Sequence, residues 1–301
     1  MTTRAMGPGA GWSWLKQAIN LGRNNPKALF GAAALLMVVA LIPSVIQLVA
    51  QYGFGMNNMG AMLWIIGLTT LAMLIVYPLL IGGFFRVIDA TEHNRPTRAT
   101  ALFDTFKAGQ GRGRLIGFGL LLTVIYVCAI ALIVGALGPE IGSWYWQAIT
   151  ATQTAVPGTP PDIPAVPEGF GTVFGLVLLV MVFLTGVYSV GFGQVALAGR
   201  SVGGALADGF AGALKNLLPL LVLTVIAIVL MILAAIVIVI VVMILAAIGG
   251  LVSPVLGMVL AAPVYLAFLV ALYVVMFGVM YFIWRDVAGQ AAVAPDNQVE
   301  L

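Results

Sequence analysis

Six long apolar runs, separated by short polar segments, make up most of this chain. A helix that crosses a bilayer core of about 30 Å needs roughly 20 apolar residues, and each run supplies them. The pattern therefore predicts an all-α fold, a polytopic membrane bundle of six transmembrane helices. The predicted spans are residues 28–49, 62–85, 115–137, 171–198, 217–248 and 263–284. In this interpretation residues 1–288 form a single membrane domain and residues 289–301 a flexible cytoplasmic tail.

The stretch 217–284 admits a second interpretation, with three spans instead of two. Three spans would place Arg285 on the membrane side opposite to every other Lys and Arg. Two spans need a single turn, and Gly249 and Gly250 with the following Ser253 and Pro254 offer one. We therefore predict two spans, joined by an outer connection at residues 249–262.

The basic residues predict the orientation. All 13 Lys and Arg lie on one side of the membrane once six spans are drawn, and the connections on the other side contain none. An excess of Lys and Arg in short loops marks the cytoplasmic side, so both termini are predicted to be cytoplasmic. Eight of these cations are expected to contact anionic lipid headgroups. They are Lys16, Arg23, Lys27, Arg95, Arg98, Lys107, Arg112 and Arg114.

Composition excludes a soluble protein. Hydrophobic residues make up 62% of the chain and charged residues only 8%, whereas a water-exposed surface is about 25–35% charged. The lipid bilayer is therefore the predicted partner. No basic stripe with interleaved aromatic residues supports nucleic-acid binding. A membrane-protein partner and a homo-oligomer both stay open.

Three short amphipathic segments precede spans and predict cytoplasmic interfacial helices. They lie at residues 12–21, 101–107 and 202–214. Segment 101–106 matches segment 205–210 in alanine, leucine, aspartate and phenylalanine at the same spacing. Segment 12–21 is a weaker third copy, and the three together predict a threefold internal repeat. We expect the two matching aspartates, Asp104 and Asp208, to reach the headgroup region or to cap a helix end.

Aromatic residues near span ends predict interfacial anchors. The outer set is Trp144, Tyr145 and Trp146, and the cytoplasmic set is Trp12, Trp14, Tyr281 and Trp284. The outer connection 138–170 also contains five prolines between residues 157 and 167, which predict an extended, irregular loop.

The sequence offers few groups for chemistry. No ionisable residue lies well inside a predicted span, which argues against a proton relay. His93 is the only histidine and Cys128 the only cysteine, so a zinc site is not expected. No catalytic residue, cofactor or metal site is predicted. Asp89, Glu92 and His93 come nearest to a cluster, and ion pairing with neighbouring arginines is the simpler account of it.

Two weaker hypotheses stay open. Met56, Met59 and Met62 lie three residues apart on the outer side, where thioethers suit Cu(I), although methionine is also a common apolar filler. Ser189 and Gln194 lie among glycines in the fourth span. They mark either close helix packing or a polar groove for a solute.

Short motifs in the first half of the chain place Trp, Pro and Gly near span boundaries. They are Gly11-Trp12-x-Trp14-Leu15-Lys16, Asn25-Pro26, Pro78-Leu79-x-x-Gly82, Arg86 and Leu102-Phe103-Asp104-x-Phe106-Lys107. In these motifs the chain resembles a family of uncharacterised bacterial inner-membrane proteins, the YciC-like group and the membrane domains attached to some glycerophosphodiesterases. The resemblance implies a location in the bacterial inner membrane and carries no activity.

The expected function follows from the six predicted spans and from the lack of predicted catalytic residues and metal sites. The chain is predicted to be a multi-pass membrane protein without catalytic activity, a structural, lipid-organising or assembly component. The alternative is a permease for a small or lipid-like solute, with copper as a minor variant. A continuous polar cavity at the middle of the membrane favours transport, and a dry glycine-packed bundle favours the first function.

Reporter fusions test the predicted topology. Fusions at Gly158 are expected to report a periplasmic position, and those at Asn94 and at the C-terminus a cytoplasmic one, because Lys and Arg orient the spans. Paired alkaline phosphatase and fluorescent-protein fusions measure this. A C-terminus outside the cytoplasm would contradict the two-span interpretation of residues 217–284.

Overall fold

The computed structural model describes residues 3–55, 58–154 and 159–289. Within these ranges the regular structure is helical throughout, and six helices are long and apolar enough to cross a membrane. The predicted fold class, an all-α polytopic bundle, is confirmed. Met56, Gly158 and the predicted tail from residue 290 onward lie outside the described residues.

In chain order the elements are α1 (Ala10–Ile19), α2 (Pro26–Leu48, followed by a π-helical turn, Val49–Gly53), α3 (Met59–Glu92), a 3-10 helix (Ala99–Phe106), α4 (Arg112–Leu137), α5 (Pro139–Thr154), α6 (Phe170–Ala196), α7 (Val202–Lys215), α8 (Leu217–Gly250) and α9 (Pro254–Val287). The six candidate spans are α2, α3, α4, α6, α8 and α9.

The turn between α8 and α9 is shorter than predicted. Because α9 begins at Pro254, only residues 251–253 connect the two helices. The Ser253 hydroxyl accepts a hydrogen bond from the Leu256 N–H at 3.1 Å, and proline at the first helical position loses no intrahelical bond. The two-span interpretation is confirmed, and the predicted connection at residues 249–262 is wrong.

The long connection after α4 is helical in its first part, contrary to the prediction of an irregular loop. Pro139 starts α5 at a position that tolerates proline, and the next described proline is Pro160. Irregular backbone follows over residues 159–169, where four prolines prevent a continuous helix.

All Lys and Arg side chains lie in the described residues, and they meet at one end of the bundle, here called the basic face. The Arg86 Nε donates to the Ala196 carbonyl at 3.1 Å, which joins the ends of α3 and α6. An Arg4 Nη donates to the Arg285 carbonyl at 2.8 Å, which joins the N-terminal segment to the end of α9. Three spans therefore end at the same face, and the predicted one-sidedness of the cations is present in the fold.

The six spans form three hairpins in a cyclic arrangement. The hairpins are α2–α3, α4–α6 and α8–α9, and the second helices α3, α6 and α9 pack against one another at the centre. The first helices α2, α4 and α8 lie outside, each between its own partner and the central helix of another hairpin. The predicted threefold repeat is therefore visible as packing.

The short helices close this ring at the basic face. The 3-10 helix packs on the α2–α3 hairpin, α7 packs mainly on α6, and α1 packs on the α8–α9 hairpin. Each short helix thus covers the hairpin that precedes it, and α1 at the start of the chain covers the last hairpin. Trp14 secures this closure: its Nε1 donates to the Asp286 carboxylate at 3.0 Å.

Burial is concentrated in the halves of the spans next to the basic face. Most buried side chains of the central helices lie at residues 78–88 in α3, 182–196 in α6 and 274–287 in α9. The other halves expose apolar side chains. In α8 the most apolar 18-residue window has a mean hydropathy of 3.7, and none of it is buried. The hairpins are packed at the basic face and separate beyond it.

Glycines permit this close packing. A methyl group at Gly83 in α3 would overlap the backbone carbonyl of Leu102, and one at Gly193 in α6 would overlap the Trp284 ring. Small residues let helix backbones approach closely in membranes, where apolar burial against lipid gives little net driving force. Close contacts between complementary helix surfaces therefore stabilise the packed half of the bundle.

Replacing Gly83 with alanine is expected to lower the free energy of unfolding by about 1–3 kcal/mol, because the added methyl meets backbone that cannot rotate away. The control is Gly67→Ala in the same helix, where an added methyl meets no atom within 4 Å. Thermal unfolding in mild detergent measures both. Equal melting temperatures for the two variants would contradict the proposed packing.

Candidate functional site: a tyrosine-lined cavity between the hairpins

A cavity of about 310 Å³ lies where the hairpins begin to separate. Its walls come from α2, α3, α4, α6 and α9, so all three hairpins contribute. The lining side chains are predominantly apolar and aromatic. They belong to Leu36, Met73, Leu74, Tyr77, Pro78, Ile81, Gly119, Leu122, Thr123, Tyr126, Tyr188, Phe192, Tyr273 and Phe277.

The cavity lies near the middle of the membrane. Tyr126 follows Arg114 by twelve residues in α4, and Tyr273 precedes Arg285 by twelve residues in α9. At a rise of 1.5 Å per residue, each tyrosine lies about 18 Å along its helix from the arginine at the basic face. This depth is near the centre of a hydrocarbon core of about 30 Å.

Four tyrosines from four different helices contribute the polar groups of the cavity. Tyr77 and Tyr273 are close enough to interact electrostatically, and so are Tyr126 and Tyr188. Tyr126 lies beside Thr185, whose own hydroxyl donates to the Met181 carbonyl at 2.8 Å. Within the described residues no hydrogen bond occupies the hydroxyl of Tyr77, Tyr188 or Tyr273. The site therefore offers phenolic hydroxyls at a depth near the middle of the hydrocarbon core.

Packed aromatic rings close the cavity toward the basic face. Phe84 meets Phe277 edge-on with ring centroids 5.1 Å apart, and Phe118 meets Phe192 in the same way at 5.0 Å. Phe84 and Phe118 are fully buried. Gly119 fits directly against Pro78, where no larger side chain has room. In this conformation the cavity opens toward the separated halves of the hairpins.

The predicted polar groove at Ser189 and Gln194 is not part of this cavity. Both side chains are fully buried. The Ser189 hydroxyl donates to the Thr185 carbonyl at 2.7 Å, and the Gln194 Nε2 donates to the Asp208 carboxylate at 2.9 Å. These contacts are those of helix packing, within α6 for Ser189 and between α6 and α7 for Gln194, and a solute groove at these residues stays a prediction.

Asp208 lies in a buried polar cluster next to the end of α6. Besides Gln194, its carboxylate accepts hydrogen bonds from the Arg200 guanidinium at 2.9 and 3.2 Å. The hydrogen bond and the charge of Asp208 raise the pKa of Arg200, which stays positively charged. The repeat-related Asp104 differs, because its partially exposed carboxylate pairs with Lys107 at 2.5 Å. Asp208 is 7% exposed, so of its two expected roles contact with the headgroup region is contradicted, and a role at the end of a neighbouring helix stays a prediction.

Asp89, the nearest approach to a catalytic carboxylate, is engaged by neighbouring side chains. It forms an ion pair with Arg95, and its other oxygen accepts a hydrogen bond from the Tyr281 hydroxyl at 2.9 Å. The His93 Nδ1 lies 2.8 Å from the Asp89 carbonyl. Ion pairing therefore accounts for Asp89, and within the described residues no group of three His, Cys, Asp or Glu side chains is arranged to hold a metal ion.

The eight cations predicted to contact headgroups are all exposed at the basic face. Three of them also bind the protein: Arg95 pairs with Asp89, Lys107 pairs with Asp104, and Arg114 donates to the Gly199 carbonyl. The other five, Lys16, Arg23, Lys27, Arg98 and Arg112, make no ion pair within the described ranges. Headgroup contact by this set stays a prediction.

The cytoplasmic set of predicted aromatic anchors is mostly wrong. Trp14 and Tyr281 are 0% exposed and Trp284 is 8% exposed. Trp14 binds Asp286 at the end of α9, Tyr281 packs against Phe85 of α3, and the Trp284 ring lies against Gly193 of α6. Trp12, at 48%, is exposed. In the outer set Tyr145 and Trp146 are exposed, and the Trp144 Nε1 donates to the Pro164 carbonyl at 2.9 Å.

The copper hypothesis is not addressed by these contacts. Met56 lies outside the described residues, and of Met59 only the backbone is described. Met62 lies in the first turn of α3. Binding of Cu(I) by the three thioethers stays a prediction.

Sequence reasoning missed the four cavity tyrosines. A signal was present: Tyr126, Tyr188 and Tyr273 each lie twelve residues from an arginine at a span boundary. The regular spacing places them at one depth in the membrane. Which faces of the helices meet is set by packing, and the spacing alone does not contain that information.

No family model, curated protein or solved structure matches this chain. The fold and the apolar cavity define the class as a six-span, all-α integral membrane protein.

Replacing Asp208 with alanine is expected to lower the free energy of unfolding by about 2–3 kcal/mol, because Gln194 and Arg200 lose their buried partner. The matched control is Asp104→Ala, whose exposed ion pair is worth less than about 1 kcal/mol. Thermal unfolding in the same detergent compares them. Equal destabilisation would show that the buried cluster has no special role.

Proposed function

We propose that this chain is a non-catalytic component of the bacterial inner membrane, with both termini in the cytoplasm, that organises lipid. The observation that carries the proposal is the division of every hairpin into a packed half and an exposed apolar half. The packed half supplies a rigid base, and the exposed half presents apolar walls to the membrane. Exposed basic side chains at the base are placed for anionic headgroups.

Lipid chains are the occupants that suit the space between the hairpins. Apolar surface of this kind is favourable in hydrocarbon and unfavourable in water. In a bilayer, chains from the surrounding lipid enter that space without crossing a polar barrier. Three hairpins that are packed together at the basic face would thereby hold a few lipid chains apart from the bulk bilayer.

Catalysis is not part of the proposal. Reaction at a membrane surface needs an activated nucleophile or metal-bound water and an acid–base partner. The cavity lining contains no carboxylate, histidine or cysteine. At the basic face Asp89 and Asp208 are each held by an arginine and by a second hydrogen-bond donor.

A permease for a lipid-like solute is the second candidate. It is favoured by the position of the cavity at the centre of the membrane, where transporters hold their substrates. In the present conformation the buried aromatic pairs Phe84–Phe277 and Phe118–Phe192 separate the cavity from the basic face. Transport would therefore require these rings to move apart.

A spin label in the cavity tests the lipid-organising function. Thr123 lines the cavity, so Thr123→Cys is labelled with Cys128 changed to serine. The label in a reconstituted bilayer is expected to be accessible to oxygen and protected from a water-soluble nickel complex. Asn94→Cys in the exposed loop is the control for water access.

Preferential access of the nickel complex to the Thr123 position would contradict lipid occupancy and favour a water-filled solute path. A second experiment tests the proposal that the chain is not an enzyme. If a lipid accumulates when the gene is deleted, and the Asp89→Asn variant at the normal protein level fails to remove that lipid, the chain is an enzyme.

A further inference from the structure

We propose that the tyrosine-lined cavity binds one neutral, chain-bearing lipid with carbonyl oxygens, of the chemical class of the membrane quinones. The ring would lie among Tyr77, Tyr188 and Tyr273, and the hydrocarbon tail would extend between the separated halves of the hairpins. The inference deepens the proposed lipid-organising function and rests on it, because it names the lipid that the cavity selects.

The occupant is neutral because nothing in the cavity balances a charge. None of the lining residues is Asp, Glu, Lys, Arg or His. The arginines at the basic face lie about 18 Å away along the helices. A phosphate or ammonium group placed in the hydrocarbon core without a partner is strongly unfavourable. Phospholipid headgroups therefore belong at the membrane surface, outside this site.

The occupant accepts hydrogen bonds because the cavity offers donors. Within the described residues no hydrogen bond involves the hydroxyl of Tyr77, Tyr188 or Tyr273, and each of these tyrosines lines the cavity. A hydroxyl removed from water without a partner costs roughly 1–3 kcal/mol by protein measurements. A molecule with oxygen acceptors at this depth satisfies hydroxyls that lipid chains alone leave unpaired.

Depth and shape together favour a quinone-type ring. Ester oxygens of ordinary phospholipids lie near the headgroups, whereas the cavity is near the middle of the core. A planar ring with two carbonyls fits among aromatic walls, where Phe192 and Phe277 lie beside Tyr188 and Tyr273. A volume of about 310 Å³ accepts a bicyclic ring and the first part of a tail.

Equilibrium binding of a short-chain menaquinone analogue to the full-length protein in nanodiscs tests the inference. The test variant is Tyr77→Phe/Tyr273→Phe, which removes two hydroxyls and keeps both rings. Its dissociation constant is expected to rise roughly tenfold, because two hydrogen bonds are lost. The control Tyr265→Phe removes a hydroxyl from an exposed part of α9 outside the cavity and is expected to bind as the wild type does.

A parallel arm uses diacylglycerol, a neutral lipid whose carbonyls are esters. Saturable diacylglycerol binding with the same loss in the double variant, and weaker binding of the quinone, would overturn the assignment. Unchanged quinone binding in the double variant would overturn it too. Thermal unfolding confirms that the double variant is folded, and Tyr77→Phe alone replaces it if it is not.

The two proposals fail separately. If the label at Thr123 is accessible to oxygen but the protein does not bind the quinone, the lipid-organising function stands and only the quinone inference is contradicted. Water access at Thr123 would remove the lipid-organising function and the quinone inference together.

Discussion

The close approach of α3, α6 and α9 in the half of the membrane next to the basic face is the constraint on which the rest of the structure depends. It requires residues without side chains at the contacts. At Gly193 in α6 the Trp284 ring of α9 occupies the place of a side chain, and at Gly191 in α6 the Phe118 ring of the neighbouring α4 does so. Because lipid chains are as apolar as leucine, such fitted contacts hold the helices where a general hydrophobic effect does not.

Polar contacts at the basic face complete this packing, since helix ends leave backbone carbonyls without partners. Arg86 binds the last residue of α6, Arg4 binds carbonyls at the end of α9, and Arg114 binds the carbonyl of Gly199. Each arginine links two elements in the cyclic arrangement of hairpins. The cations that orient the chain in the membrane therefore also join its hairpins.

The cavity is a consequence of this geometry. Where the glycine contacts end, the three hairpins diverge, and the first residues beyond the packed rings include four tyrosines. Four tyrosine side chains, one from each of four helices, line the gap at this level. The same separation exposes the apolar remainder of α8 and its neighbours to lipid. Site and lipid-facing surface thus arise from one change in packing along the spans.

Hydropathy and charge, which are properties of local sequence, were enough to predict the six spans and the common side of all Lys and Arg. They were also enough to predict a repeat, because matching segments recur at 101–106 and 205–210. They failed at α5, whose helix begins with a proline that was counted as loop, and at the early start of α9, where a serine cap and a first-position proline outweigh the nearby glycines.

Only the tertiary structure decided which faces of the helices meet, because that depends on contacts between residues far apart in the chain. It placed Trp14, Tyr281 and Trp284 in the core instead of at the membrane interface. It buried Asp208 beside Gln194 and left the matching Asp104 partially exposed, although four of the six residues in segments 101–106 and 205–210 are the same. The cavity tyrosines belong to four helices, and no single segment of sequence contains the surface that they form.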